Sequence, residues 1–271
     1  MNIRRRTILS AGWLVVVVTV SALAPVLSAN PPGQPVAEPL ARPTRWIPFG
    51  ADELGRDLWA RLAFGGRSSL AASSLAAVLT VILGGAVGLL AAIGGRRVDS
   101  LVLLLVNAAL AIPGLLLALL LVAGLGPSLP TIVLAVGLGG SPGFARLARQ
   151  AFLQGQSATY ISAASALGAG KFRVAWAHLL PNARAHLLPL AGTYFAWSFL
   201  GTTTLTFLGL GGDPSNPEWG TMLNAGRLHL VDAPHLVLLP GMAIALTILA
   251  VHSLAGAFAQ AGPPTSQASH R

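Results

Sequence analysis

Long apolar stretches separated by short polar segments set the pattern of this chain. A helix needs about 20 apolar residues to cross a bilayer, and six stretches approach or exceed that length without any Asp, Glu, Lys or Arg. The pattern predicts an all-α, polytopic membrane protein with about six transmembrane helices. The predicted spans are residues 8–27, 70–93, 101–123, 129–145, 187–210 and 236–258.

Two features inside these spans predict how the helices bend and pack. Pro113 interrupts the third span, where it should kink the helix because proline lacks a backbone N–H. Gly84, Gly88 and Ala92 recur every fourth residue in the second span, so they share one helix face. Small residues at this interval permit the close approach of a neighbouring helix and predict a packing contact there.

Composition supports a membrane protein and excludes several other classes. The chain is 54% hydrophobic and 9% charged, whereas a soluble domain carries about 25% charged residues. It contains no cysteine, which excludes disulfides, thiol nucleophiles and cysteine-ligated metals. The net charge of +9 fits attraction to anionic lipid on the cytoplasmic side better than binding to nucleic acid.

The distribution of Lys and Arg predicts that both termini face the cytoplasm. With the N-terminus inside, eleven of the 17 basic residues lie in inside segments and six in outside segments, as the positive-inside rule expects. A cleaved signal peptide is an alternative for residues 8–27, because three arginines precede them. Leu27 stands where a small residue is wanted before a cleavage site near Ala29, which favours an uncleaved first helix.

Changes in composition divide the chain into four parts. Residues 1–28 are the N-terminal transmembrane helix, and residues 29–67 form an external Pro-rich linker followed by an amphipathic segment. Residues 68–260 form a core of five transmembrane helices, and residues 261–271 are expected to be a disordered cytoplasmic tail.

The segment between the fourth and fifth spans, residues 161–182, is polar, basic and broken by glycine. Small apolar residues at helical spacing predict a short helix at its start, and Gly168 permits a sharp turn after it. Residues 172–178 predict a second short helix that Pro181 should end. Such a helix–turn–helix between spans is suited to being pushed by a partner protein.

This segment resembles the cytoplasmic signature of ABC-importer permeases, in which Glu-Ala-Ala, Gly and Ile-x-Leu-Pro recur at the same spacing. Ser162 stands where that family has Glu, and His178 stands where it has Ile. The resemblance implies a coupling helix that binds a cytoplasmic ATPase. The coupling residues would be Ser162, Ala163, Ala164, Leu167, Gly168, Lys171, Arg173, His178, Leu180 and Pro181.

Residues 48–70 resemble a stretch, Gly-Thr-Asp-x-x-Gly-Arg-Asp-x-x-Ser-Arg, that precedes the second helix in the dipeptide, oligopeptide and nickel importer branch. Either aspartate can cap a helix, and the arginines can pair with carboxylates. On the residues alone, the stretch also fits a solvated amphipathic helix resting on the membrane surface. The matching residues, called here the external motif, are Gly50, Asp52, Gly55, Arg56, Asp57 and Arg61.

A third match, residues 207–226, is similar to the same branch in its Phe-Leu-Gly-Leu-Gly start and its later Trp-Gly-x-Met-Leu. Trp219 would suit the interface with lipid headgroups. The C-terminal end departs from the family, because residues 253–258 lack the acidic tail that many members carry. The resemblance therefore covers the chain from about residue 49 to about residue 249.

The resemblance implies a permease subunit of an ATP-driven importer in the inner (cytoplasmic) membrane. Its partners would be a second permease subunit, cytoplasmic ATPase subunits and an external solute-binding protein. Gly170-Lys171 lacks the other residues of a phosphate-binding loop, so ATP hydrolysis is expected on a separate chain and no cofactor or metal on this one. A dipeptide, an oligopeptide, nickel or another solute could be carried.

The alternative is a stand-alone secondary carrier or channel. A carrier is expected to show inverted repeats and charged or broken helices at mid-membrane. Neither repeats nor charged residues occur in the predicted spans, and a cytoplasmic coupling segment has no role in a carrier. The sequence therefore favours the importer permease.

Overall fold

The structure is a computed structural model that describes residues 3–156 and 170–261. Most of these residues are helical. Within these ranges there is no β-strand beyond two isolated bridges, which confirms the predicted all-α class. A π-helical turn spans Ala175–Leu179 and a 3₁₀ turn spans Arg227–His229. The α-helices are α1 (Ile3–Ala22), α2 (Ala24–Leu27), α3 (Leu58–Ile93), α4 (Arg96–Leu110), α5 (Gly114–Leu125), α6 (Leu129–Gln156), α7 (Lys171–Val174), α8 (Leu180–Phe207), α9 (Trp219–Gly226) and α10 (His235–Ala261).

Several of these helices are long and apolar enough to cross a membrane. In the described residues α1, α3, α6 and α10 meet that condition, and α4 together with α5 would make a fifth, bent span. Helix α8 has 28 residues, but its most apolar stretch has a lower mean hydropathy than the other spans. Length and composition therefore give four or five spans, and a count of six depends on α8.

The third predicted span is a broken helix. Helix α4 ends at Leu110, α5 begins at Gly114, and their axes differ by 81°. Pro113 has an extended ψ of 125°, it has no N–H to continue the helical hydrogen bonds, and proline disfavours helical backbone at the residue before it. The bend predicted from Pro113 is confirmed, and it takes the form of a complete break.

Helices α3 and α6 approach each other closely along the predicted stripe of small residues. A Cβ atom on Gly84 would lie 2.6 Å from the carbonyl oxygen of Ser141. A Cβ atom on Gly88 would lie 2.7 Å from the carbonyl oxygen of Ala145 and 2.8 Å from the amide nitrogen of Arg149. The glycines let the two backbones touch, which confirms the predicted packing contact.

The long helices run in two opposite directions along the bundle, which therefore has two distinct ends. Helices α3 and α6 are parallel, since the contacts advance along both chains together. Helix α8 runs against them. A Cβ on Gly201, late in α8, would lie 3.3 Å from Val136 of α6, whereas the earlier Tyr194 packs against the later Phe144 with ring centroids 5.2 Å apart. We call the end that holds residues 28–57 and 208–234 the linker end, and the opposite end the coupling end.

The start of α1 and the end of α10 lie together at the coupling end. Arg6 and Ser10 line a cavity with His252 and Gly256. The other end of α10 is at the linker end, where a Cβ on Gly50 would lie 3.4 Å from Nε2 of His235. The first described residues and the last described residues are therefore on the same side of the bundle.

Residues 58–67 differ from their predicted form. Instead of a separate amphipathic segment, they are the first turns of α3, which has 36 residues and a length of about 54 Å. This length exceeds the bilayer hydrocarbon core of about 30 Å. The first turns of α3 therefore extend beyond the most apolar part of the bundle and meet the loops of the linker end.

Candidate functional site

Two glycines of the external motif fold the Pro-rich linker back onto it. Gly50 and Gly55 have φ values of +81° and +76°, which residues with a side chain rarely adopt. A Cβ on Gly55 would lie 2.2 Å from the carbonyl oxygen of Ala37. The amide of Val36 donates to the carbonyl of Gly55 at 2.8 Å, and the amide of Ala51 donates to the carbonyl of Ala41 at 2.9 Å.

Asp52 is the centre of a buried charge cluster in this motif. Its Oδ2 atom accepts from Nε of Arg56 at 2.7 Å and lies 3.2 Å from Nε of Arg61. Its Oδ1 atom accepts from the backbone amides of Leu54 at 3.0 Å and Arg56 at 2.9 Å. Glu53 pairs with the other branch of Arg56 at 3.0 Å. Buried charges are tolerated when they are paired and hydrogen-bonded in this way.

Asp57 caps the start of α3, as the sequence predicted for one of the two aspartates. Its Oδ1 atom accepts from the amide of Trp59 at 3.0 Å, and its Oδ2 atom accepts from Nδ2 of Asn30 at 2.9 Å. The alternative of a solvated amphipathic helix is wrong. The backbone before Leu58 is not helical, and all four charged side chains of the external motif are buried.

Arg61 joins three segments that are distant in sequence. Its guanidinium donates to the carbonyl oxygens of Pro32 at 3.2 Å, Ser215 at 3.2 Å and Pro214 at 3.4 Å. The same side chain lies against Asp52. The external motif thus holds the linker and the loop between α8 and α9 against the first turns of α3.

The third sequence match forms a second anchor at this end. Glu218 caps α9 by accepting from the amide of Thr221 at 3.0 Å. It also accepts from the hydroxyl of Ser69 at 2.6 Å, and the indole of Trp219 donates to the carbonyl of Leu62 at 2.9 Å. These contacts fasten α9 to α3.

The prediction that Trp219 lies at the lipid-headgroup interface is wrong. Its side chain is 3% exposed, packed against Phe199 with ring centroids 6.1 Å apart. Gly65 and Gly66 of α3 leave space for the indole, since a Cβ on either would lie 3.0 Å from it. Burial against two glycines, together with the hydrogen bond to Leu62, outweighs the amphipathic preference of tryptophan for the interface.

The predicted coupling segment is only partly described by the structure. Ser162, Ala163, Ala164, Leu167 and Gly168 lie outside the described residues.

The other predicted coupling residues lie on or beside a helix. Lys171 begins α7, Arg173 is exposed, and His178 and Leu180 are half-buried. The second short helix predicted for residues 172–178 is observed as α7 followed by the π-helical turn.

Pro181 does not end this helix as predicted. Helix α8 begins at Leu180 and continues to Phe207. Pro181 stands in the first turn of α8, where a missing N–H costs little. The π-helical turn directly precedes α8. In it, the amide of Leu180 donates to the carbonyl of Ala175, five residues earlier. The side-chain amide of Asn182 donates to the carbonyl of His178 at 2.6 Å.

An ion pair at the coupling end was missed by the sequence reasoning. Nη2 of Arg149 in α6 donates to Oδ2 of Asp99 in α4 at 2.6 Å, and Nε of Arg149 contacts the other carboxylate oxygen. One turn earlier, Arg146 contacts Oδ1 of Asn107. Asp99 is the acidic residue in the first turn of α4, and no local sequence pattern indicates a partner that lies 50 residues later.

Comparisons with known proteins agree with this architecture. Residues 84–261 match the family described as "Binding-protein-dependent transport system inner membrane component". The di/tripeptide transport system permease protein DppC of Pseudomonas aeruginosa (strain UCBPP-PA14) is 36% identical over 247 residues, 89% of this chain and 82% of that protein. The glutathione transport system permease protein GsiD of Pectobacterium atrosepticum is 36% identical over 209 residues, 77% of this chain and 69% of that protein.

A solved structure shares the fold. A chain from the inward-facing MetNI methionine ABC transporter superposes with a TM-score of 0.62 at 19% identity, covering 75% of this chain and 95% of that one. At this identity the likeness concerns the fold alone.

Proposed function

Because this chain belongs to the family of binding-protein-dependent transport system inner membrane components, we propose that it forms part of a translocation pathway for short peptides or a related small solute. It is a permease subunit of an ABC importer in the inner membrane. The observation that carries the peptide assignment is the 36% identity to a di/tripeptide permease over 89% of the chain. A second permease subunit, cytoplasmic ATPase subunits and an external solute-binding protein complete the proposed transporter.

The proposed topology has six spans with both termini in the cytoplasm. The excess of Lys and Arg in the inside segments supports it, as does the common location of the start of α1 and the end of α10. In this topology α8 is the fifth span. The linker end then faces the solute-binding protein, and the coupling end faces the ATPases.

Residues 160–182 are the proposed coupling segment. Its second half is anchored to the bundle by Leu179, which is fully buried, and a Cβ on Gly155 of α6 would lie 2.9 Å from that side chain. On the other side, Phe172 and Trp176 are 73% and 56% exposed beside the exposed Arg173. This surface suits an ATPase partner, because a movement of the partner would reach α6 and α8 through buried contacts.

The external motif has a proposed supporting role at the opposite end. The Asp52 cluster and Arg61 hold the linker and the 208–218 loop on α3, so that the linker end offers one rigid face. A rigid face costs less conformational entropy when a solute-binding protein docks. The motif performs no chemistry in this proposal.

The test is uptake by the complete transporter in proteoliposomes. With ATP and all partner subunits, labelled dipeptides should accumulate. Gly168→Val should lower peptide uptake and stimulated ATP hydrolysis together, because valine disfavours the turn predicted there by about 1 kcal/mol or more. Gly256→Val is the control, because a Cβ at Gly256 would meet nothing within 4 Å.

Three outcomes would contradict the proposal. Absence of peptide uptake with ATP and all partners would remove the peptide assignment. Normal uptake by Gly168→Val would remove the coupling role of the turn. Uptake by this chain alone, without ATP or partners, would support the alternative of a stand-alone carrier.

A further inference from the structure

A cavity of about 470 Å³ opens at the linker end, beside the loop that Arg61 holds. Its walls come from α3, from the end of α8, the loop after it and α9, and from one residue each of the linker and α6. Its volume lies within the range of about 300–1,000 Å³ that small-molecule sites occupy. In the proposed topology, a solute released at the outer face would meet this cavity before the membrane interior.

Three polar side chains in the cavity wall have no partner in the part of the chain that the structure describes. Arg67, Ser68 and Asn216 line the cavity, and none of these side chains makes a hydrogen bond or ion pair with another described residue. Arg67 is exposed. The guanidinium therefore presents its donors to the cavity, next to a hydroxyl and an amide that can both donate and accept.

The two acidic residues that line the cavity belong to the loop between α8 and α9, and each already accepts hydrogen bonds from the protein. Glu218 is 5% exposed and accepts from the hydroxyl of Ser69. Asp213 accepts from the amide of Ser215 at 2.8 Å and from its hydroxyl at 2.7 Å. Neither carboxylate forms an ion pair with Arg67. Among the described residues, no carboxylate oxygen lies within 4 Å of a side-chain nitrogen of Arg67. The cavity thus has a positive group on one wall and negative groups on another.

We propose that Arg67 binds the terminal carboxylate of the transported peptide, which extends the proposed function and rests on it. A guanidinium and a carboxylate form two parallel charge-assisted hydrogen bonds. The acidic residues Asp213 and Glu218 repel the carboxylate and attract the amino terminus, so a zwitterionic peptide enters in one orientation. Ser68 and Asn216 hydrogen-bond to its amide groups.

The experiment compares a dipeptide with its C-terminal amide in the reconstituted transporter with all partner subunits. Arg67→Gln should raise the apparent KM for the free acid about tenfold or more, the factor expected for losing a hydrogen bond to a charged group. The amide should change less than about twofold, because it lacks the carboxylate that Arg67 binds. Arg67→Lys should keep part of the preference for the acid.

Arg45→Gln is the matched control, because Arg45 is also an exposed arginine of the linker end and lies outside the cavity wall. It should leave the preference for the acid over the amide unchanged, because any effect on docking of the solute-binding protein would change the uptake of both solutes equally. ATP hydrolysis stimulated by the solute-binding protein reports on assembly, and it should be the same in Arg67→Gln as in the unaltered transporter.

Two results would overturn the inference while leaving the proposed function intact. One is an equal loss for the acid and the amide in Arg67→Gln, which indicates a structural role. The other is an unchanged preference for the acid in that variant. Absence of peptide uptake by the unaltered transporter is a different result, because it contradicts the proposed function itself and the inference with it.

Discussion

Replacing Gly88 with alanine should destabilise the contact between α3 and α6. The added Cβ would lie 2.7 Å from the carbonyl oxygen of Ala145, 2.8 Å from the amide nitrogen of Arg149 and 2.9 Å from Cβ of Ala148. Two of these three atoms belong to the backbone of α6. A rotamer change cannot relieve the clash, so one helix must move away from the other.

The magnitude follows from two opposing contributions. Overpacking a close contact costs about 1–3 kcal/mol, whereas alanine stabilises a helix interior over glycine by about 0.5–1 kcal/mol. Gly88→Ala should therefore lower the free energy of unfolding by about 1 kcal/mol. Gly85→Ala is the matched control on the same helix, because its Cβ would meet only Cε1 of Phe144, at 3.8 Å. That variant should be stabilised by about 0.5–1 kcal/mol.

The assay is reversible unfolding in mixed detergent micelles, followed by tryptophan fluorescence. Gly84→Ala should behave like Gly88→Ala, because its Cβ would lie 2.6 Å from the carbonyl oxygen of Ser141. The reasoning would be refuted if Gly88→Ala and Gly85→Ala changed the unfolding free energy equally. That result would mean that α3 and α6 do not pack backbone to backbone.

Two further predictions concern topology and the coupling end. Single cysteines replacing Gln34 and Asn216 should react with an impermeant thiol reagent in intact cells, whereas one replacing Gly170 should not, and labelling of Gly170→Cys from outside would contradict the orientation. Asp99→Asn and Arg149→Gln should each destabilise the protein by about 1–2 kcal/mol, measured by the same unfolding assay, because each removes a charge-assisted hydrogen-bonded pair. The double variant should cost less than the two single losses added together, and strict additivity would show that the ion pair carries no coupling energy.

The sequence by itself determined the features that depend on neighbouring residues. The apolar stretches predicted long helices because the cost of placing residues in lipid adds up along a segment. Pro113 predicted a kink in the third span, because its effect is confined to its own turn, and the structure shows that kink as the break between α4 and α5. The interval between Gly84 and Gly88 predicted a packed face, since helical geometry alone puts those residues together. The Asp57 cap is local in the same sense.

The tertiary structure decided what depends on residues far apart in the chain. Trp219 is buried rather than placed at the lipid interface because Gly65 and Gly66, some 150 residues earlier, leave space for its ring. Asp99 pairs with Arg149 only because α4 returns against α6.

The same holds for the two features at the linker end and for the start of α8. Arg61 reaches the carbonyls of Pro214 and Ser215, and Arg67 faces a cavity, only after α3 and the loop before α9 are packed together. Pro181 continues a helix because a π-helical turn precedes it. Hydrophobicity and backbone preference act within a few residues, whereas these contacts follow from the relative positions of packed helices, and a linear pattern does not contain those positions.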